Sequence, residues 1–492
     1  MPEATVVAAL RIEAAALGGR VVVTGMGRDR SAATAGGLAG SLANGEPVAV
    51  AGVAGGLRPE LRPGDVVVAD ELRTTDGGAP RRLPGAPLVA EELRRCGLNV
   101  HVGPVVSVTD LVRGARRTEL AGSGALAVDM ESAWFADRLG PRPLAVVRTI
   151  ADTASHGRVR GGIPAMGALL RIRPSLERWG RALGARNVVL GAPRSFCAGV
   201  ERAIEIVERA IERFGAPVYV RRQIVHNHHV VRSLEERGAV FVEELDEVPD
   251  RATVVLAAHG VTPDVRRQAD RREGLRVVDA TCPLVAKVHH EARRYAAQGY
   301  RIALVGHATH EEVVGTVGEA PDRIHLVQQP QDVAGLPFEA GDAVAYLTQT
   351  TLATDETADI VAALRQRFPQ AVGPHGDDIC YASQNRQDAV RSMAARCDLI
   401  LVVGSSNSSN TARLVEVARR AGCRAELVED ASELRLAWLE GAKTVGLTAG
   451  ASAPDMLVHE LIDALRLLGP VAVDEHRTTE EHVHFPLPVQ VR

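Results

Sequence analysis

The chain has 492 residues, 46% of them hydrophobic and 24% charged, with a formal net charge of −4. That length exceeds one ordinary core and implies two to four domains, and the interspersed charge signs, with no run of Lys and Arg, exclude an advertised nucleic-acid surface. No window reaches the roughly 18 uninterrupted apolar residues of a membrane span, the acidic start MPEATVVAALRIEAAAL is unlike a signal peptide, and six scattered cysteines make no disulfide framework; a cytoplasmic protein with no membrane partner is expected.

Strand-like runs RVVVTGMG, PVAVAGVAGG, GDVVVAD and PLAVVRTIAD alternate with helical or Gly-rich stretches, which predicts a three-layer α/β domain over residues 1–172. The polar stretch RIRPSLERWGRALGARN (171–187) reads as a helix leading into a new first strand, so a linker is placed at 173–187. A second α/β series follows over 188–492: NVVLGAP, ATVVLAAHG, LRVVDATCP, RIALVGHATH, AVAYLTQTT, DLILVVGSS and KTVGLTAGAS.

Three cysteines of the second series stand in matched contexts. Cys197 lies between NVVLGAP and a helix whose Ala203, Val207, Ala210, Ile211 and Phe214 recur at helical spacing; Cys282 follows a strand and precedes Pro283; Cys380 opens another helix. A helix N-terminus favours the thiolate, the reactive and metal-binding form. Spacings of 85 and 98 residues do not suit a zinc knuckle, but suit a cofactor at the meeting point of three similar units. Three thiolates on a four-iron, four-sulfur cube would leave one iron free for a substrate oxygen. The plain alternative is three unrelated buried cysteines, as Cys96, Cys397 and Cys423 read.

Histidine is unevenly spread, with eight of sixteen between residues 226 and 310. Strand-terminal loops, where α/β folds place ligands, offer His226, His259, His310 with Glu312, Thr350, Ser408, Ser409, Asn410 and Ser452. Neutral hydroxyls, amides, imidazoles and helix N-terminal N–H groups all donate to phosphate oxygens, so a small phosphorylated or diphosphorylated ligand is expected. No G-x-x-x-x-G-K-[ST] loop is present.

FCAGVERAIE, VHNHHVV, DATCPLVAKVH, GHATHEEVVGTVG, LTQTTL, DDICYASQNRQDAV, GSSNSSNTARL and TAGASAPD, in order over about 188 to 486, resemble the 4-hydroxy-3-methylbut-2-enyl diphosphate reductase (LytB) family. The resemblance implies a trefoil of three α/β units around a [4Fe-4S] cluster on Cys197, Cys282 and Cys380. It also implies a diphosphate pocket of His226, His259, Ser408, Ser409, Asn410 and Ser452, with His310, Thr350 and Glu312 handling the substrate hydroxyl and the proton. The implied reaction is reductive loss of that hydroxyl to isopentenyl and dimethylallyl diphosphate, with reduced ferredoxin or flavodoxin as donor. Two positions depart from the family pattern: Ser195, where glycine is common, and Glu311, where proline is common.

VTGMGRDRSA, AGVAGGLRPELRPGDVVVAD, AVDMESAWFA and VVRTIADTAS, within residues 4 to 170, resemble the purine nucleoside phosphorylase and methylthioadenosine/adenosylhomocysteine nucleosidase superfamily. By that resemblance Met130 and Glu131 approach a ribose, Asp152 meets the base, Glu13 is the acid/base residue or water activator, and the turn Gly25 to Gly27 borders a phosphate. Ala151 stands where a serine often precedes the aspartate. The resemblance also hints at a homodimer. Competing readings are an iron–sulfur hydro-lyase or sensor for the second part and a non-catalytic dimerisation module for the first.

Overall fold

A computed structural model of the chain describes residues 3–43, 45–153, 158–339 and 341–492. It divides into two compact units. The first comprises residues 1–186, 432–442 and 462–471, and the second 187–431, 443–461 and 472–492. The first unit thus takes in residues 173–186, expected as linker, together with two segments of the stretch expected to form one domain from 188 to 492. The physical reason is local: Arg158–Ala182 is one continuous helix, and Ile172, Leu176, Trp179 and Ala182 are buried along it at helical spacing.

In the first unit the strands Val48–Gly56, Ala127–Asp129, Val100–Ser107, Val66–Thr74 and Leu144–Asp152 pair in a closed ring, flanked by helices. Val48, Val50, Val67, Ala69, Val105, Val146 and Ile150 share its core with Phe135 and Leu139 of the helix Ser132–Leu139.

The second unit holds three separate sheets. Parallel pairing orders one as Ala239–Val242, Val218–Arg221, Thr253–Leu256, Arg276–Asp279 and another as Ile324–Val327, Arg301–Val305, Val344–Thr348. The third runs Arg424–Val428, Leu399–Val403, Thr444–Ala449, Arg186–Ala192, with Val471–Arg477 at its edge. Near-continuous apolar strands such as Leu399–Val403, buried at every position, are what parallel sheets covered on both faces require. The helix Ala198–Phe214 buries Ala203, Ile206, Val207 and Ala210, each fully buried Ile or Val being worth about 1.5–3 kcal/mol, and stops at Gly215 with φ 80°.

After Val471–Arg477 the chain runs on as a strap. Val491 enters the core beneath the helix Ala198–Phe214, and Glu481 pairs with the fully buried Arg386 at 3.0 Å. That guanidinium also donates to the carbonyls of Ser195 (2.8 Å), Phe196 (3.3 Å) and Ala382 (3.0 Å), which fixes the loop in front of Cys197. Ser195 itself has φ 60°, a conformation glycine adopts without cost; its hydroxyl donates to Asp455 at 3.0 Å.

Candidate active site

The three sheets of the second unit end at one cavity. Cys197, Cys282 and Cys380 all line it, each as the N-cap of its helix: Ala198–Phe214, Pro283–Ala297 and Tyr381–Ala394. Each is anchored alike, its N–H donating to a carbonyl at a neighbouring strand end: Cys197 to Ala451 (3.3 Å), Cys282 to Ala258 (2.9 Å) and Cys380 to Thr350 (3.0 Å). The anchoring residues are, or immediately precede, the expected ligand groups Ser452, His259 and Thr350. A thiol and a polar donor are therefore built from the same pair of loops in each unit.

The thiolate expectation needs correction. Burial pushes the Cys282 thiol up to about 12, with Cys197 and Cys380 adding to the shift. Cys380 is pushed up to about 11, again by burial first and then by Cys197, against the hydrogen bonds from Ser383. Desolvation outweighs the helix termini, so these two are thiols until a positively charged group joins them.

The cavity fits a cluster in one further respect. At Gly199 a Cβ would lie 2.8 Å from the Cys282 sulfur and 3.8 Å from that of Cys197, so only glycine leaves the sulfurs their space. Among the described residues no three His, Cys, Asp or Glu side chains stand close enough to share a single metal ion.

Facing the cysteines are three histidines. His226 and His259 stack with centroids 4.1 Å apart, and His310 meets each edge-on at 5.8 Å. Burial, reinforced by neighbouring imidazoles, holds His226 and His310 at about 3, so both are neutral. His310 also caps the helix Glu311–Val317, its Nδ1 accepting the Glu312 N–H at 3.2 Å, which leaves Nε2 as the protonated nitrogen.

Glu312 is 2% exposed and lies between its two bonds from Thr350, the N–H at 2.7 Å and the hydroxyl at 3.0 Å. Desolvation raises its carboxyl above the ordinary range, and the Thr350 bonds only partly offset this. Ser408 caps the helix Ser409–Arg420, Ser452 donates to the His226 carbonyl at 3.1 Å, and Asn410 accepts the Ala451 N–H at 2.9 Å while donating to Ser383 at 3.1 Å. Ser409 meets Thr351 at 3.0 Å. No Lys or Arg is among the described residues lining the cavity.

The other histidines of the dense stretch do not join this group. His289 pairs with Glu319 at 2.8 Å and His307 with Arg413. Thr351, Ser383, Tyr381 and Phe485 of the C-terminal strap line the cavity without having been expected there. Ser383 had a legible signal, three residues beyond an N-cap; Phe485 had none, because only the folded strap brings it in.

The first unit carries a separate cavity of about 750 Å³, lined by all four expected residues, Glu13, Met130, Glu131 and Asp152. Glu13 accepts the N–H groups of Leu10 and Val53, both at 2.8 Å. Burial pushes the Glu131 carboxyl up to about 7 against the pull of Arg148, a fully buried guanidinium bound to Asp129 at 2.7 Å. Asp152 is paired with Arg117 at 2.7 Å. At the turn Gly25 to Gly27, the Gly27 N–H donates to the Glu131 carboxyl group at 3.4 Å.

Comparison with known proteins finds two families along the chain. A model of the phosphorylase superfamily matches residues 2–161. The 4-hydroxy-3-methylbut-2-enyl diphosphate reductase of Cutibacterium acnes is 56% identical over 308 residues, 62% of this chain and 95% of that protein. Reductase 1 of that name from Mycobacterium tuberculosis is 56% identical over 317 residues, covering 64% and 96%. The solved structure of the Plasmodium falciparum E-1-hydroxy-2-methyl-but-2-enyl-4-diphosphate reductase matches with a TM-score of 0.60 at 37% identity, covering 63% of this chain and 97% of that one. The hydro-lyase and sensor alternatives gain no support from these matches. With the LytB protein model matching residues 188–466, more than half of the chain, and three N-cap cysteines gathered at one cavity within that span, the chain belongs to the LytB family.

Proposed function

We propose that the second unit is a reductase of 4-hydroxy-3-methylbut-2-enyl diphosphate, forming isopentenyl and dimethylallyl diphosphate. The observation that carries this reading is the convergence of Cys197, Cys282 and Cys380 with the Glu312–Thr350 pair and three histidines on one cavity. The three cysteines would hold a [4Fe-4S] cluster. When bound, that cluster supplies electrons one at a time from a reduced ferredoxin or flavodoxin and Lewis acidity toward the hydroxyl.

The rest belongs to the chain. His226, His259, Ser408, Ser409, Asn410 and Ser452 hold the diphosphate by hydrogen bonds, replacing the bonds they now make to each other. Buried Glu312 keeps its proton to higher pH than an ordinary glutamic acid and, aligned by Thr350 and His310, delivers it to the leaving hydroxyl. The reaction balances with two electrons and two protons: the C–O bond breaks, water leaves with one proton, and the allylic fragment takes the other at carbon. Neutral histidines and a largely apolar wall limit the water that competes for that proton.

Anaerobic turnover of the substrate with reduced viologen tests the reading. Both five-carbon diphosphates should form, in strict dependence on the reductant, and vanish in Cys282→Ser. A reconstituted, iron-loaded chain that makes neither product refutes it.

For the first unit we infer a site that cleaves nucleosides with water rather than phosphate, because the Gly27 N–H of the turn expected to border a phosphate is already taken up by the Glu131 carboxyl group. Glu131 would accept the ribose hydroxyls and Glu13 would orient the water. Release of base from adenosine or inosine, unchanged when phosphate is added, is the expected result. Inactivity on both, with loss of a dimer when residues 1–172 are deleted, would instead make the unit a dimerisation module.

A further inference from the structure

Glu311 is an acidic residue placed against a pocket that should hold an anion. Simple Coulomb repulsion would make it a defect, yet it is built in on two sides. Its Oε2 lies 3.6 Å from His259 Nδ1, a buried nitrogen with no hydrogen-bond partner, and its Oε1 lies 3.3 Å from Arg222. Arg222 is held for this contact by a left-handed backbone, φ 58°, and by Glu244 at 3.2 Å. A non-glycine residue kept at positive φ stores strain that the surroundings must sustain, as happens at functional positions. Glu311 is largely buried, and its carboxyl is held at about 2, the His259 contact and Arg222 outweighing desolvation.

The cavity itself has no Lys or Arg among its described lining residues, and His226 and His310 are neutral. Positive charge for a diphosphate therefore has to come from a histidine with a carboxylate behind it. The groups facing His259 are His226, His310, Glu311 and Glu312, with Arg222 behind Glu311. Of these, only Glu311 meets its buried nitrogen.

We propose that Glu311 is the positioning residue of His259: its carboxylate accepts the Nδ1–H, which keeps that proton on Nδ1, turns Nε2 to the cavity and lets the ring carry a second proton there when diphosphate binds. Arg222 in turn fixes Glu311. The proposal rests on the diphosphate-pocket reading of this cavity and assigns to Glu311 a role opposite to the one its charge alone suggests.

Two measurements on the full chain test it. Nitrogen chemical shifts of His259 in the free protein report the tautomer and need no ligand; Nδ1–H should predominate in the wild type and in Glu311→Asp, and be lost in Glu311→Ala. Calorimetric titration with inorganic diphosphate should show binding weakened at least tenfold in Glu311→Ala, restored in Glu311→Asp, and no further weakened when Glu311→Ala is added to His259→Ala. Unchanged His259 shifts, or diphosphate bound as tightly or more tightly by Glu311→Ala, would overturn the proposal. A wild type that does not bind diphosphate while its His259 shifts still respond to Glu311→Ala would instead overturn the pocket reading.

Discussion

Both oxygens of the Glu312 carboxylate are met by one residue, Thr350, through its N–H at 2.7 Å and its hydroxyl at 3.0 Å. The raised carboxyl keeps its proton to higher pH than an ordinary glutamic acid, so turnover that needs this proton holds at low pH and falls as pH rises through the raised value. In Glu312→Gln, kcat should fall by about 10²-fold or more and that alkaline decline should disappear, while binding of inorganic diphosphate changes little. A pH–rate profile of both proteins decides it.

Neutral His226 and His310 make the pocket acid-labile. Their folded values, about 3, lie below the ordinary 6.5, so the unfolded chain takes up protons first and stability is lost as pH falls from about 6.5 toward 3. His310→Asn keeps a capping side chain but removes one such group. Urea midpoints measured from pH 7 to pH 4.5 should decline less steeply in this variant than in the wild type.

Gly199 offers a substitution that separates folding from iron binding. Gly199 is the second residue of its helix and has no positive φ, so its backbone accepts alanine, yet the added Cβ would lie 2.8 Å from the Cys282 sulfur, the movable end of a side chain. Gly199→Ala should melt no lower than the wild type as the metal-free chain and retain less iron and acid-labile sulfide after anaerobic reconstitution. Cys197→Ser, Cys282→Ser and Cys380→Ser should lose both as well.

Arg386 is fully buried and satisfies three carbonyls and Glu481. Truncation to Met leaves those acceptors unpaired and a largely buried carboxylate without its partner, a loss of about 3–5 kcal/mol. Denaturant unfolding should show it, with Glu481→Gln milder because the amide can still accept one bond.

The cysteine positions were legible because each opens a helix, Cys197 and Cys282 directly after a strand, and that local order survives into the fold at Cys197, Cys282 and Cys380. Gathering His226, His259 and His310 was legible only as a crowding that also included His289 and His307, whose partners Glu319 and Arg413 are distant in sequence. Charge was the least legible. The helix termini predicted thiolates, but burial, a property of the assembled units, reverses that for Cys282 and Cys380. Nothing in the local sequence marks Arg148 and Arg386 as buried; each is buried because acceptors from remote segments close around it. The unit boundary was blurred for the same reason, since residues 432–442 and 462–471 group with the first unit across a long stretch of chain.

Each of the three sheets contributes one thiol whose N–H is tied to a strand-end loop of the same sheet. No sheet alone presents more than a single sulfur, so a nascent chain with any one of them undocked lacks a tridentate site. A cluster held by all three would therefore be acquired only by molecules that have finished assembling and would act as a checkpoint on tertiary structure, partly folded chains staying metal-free.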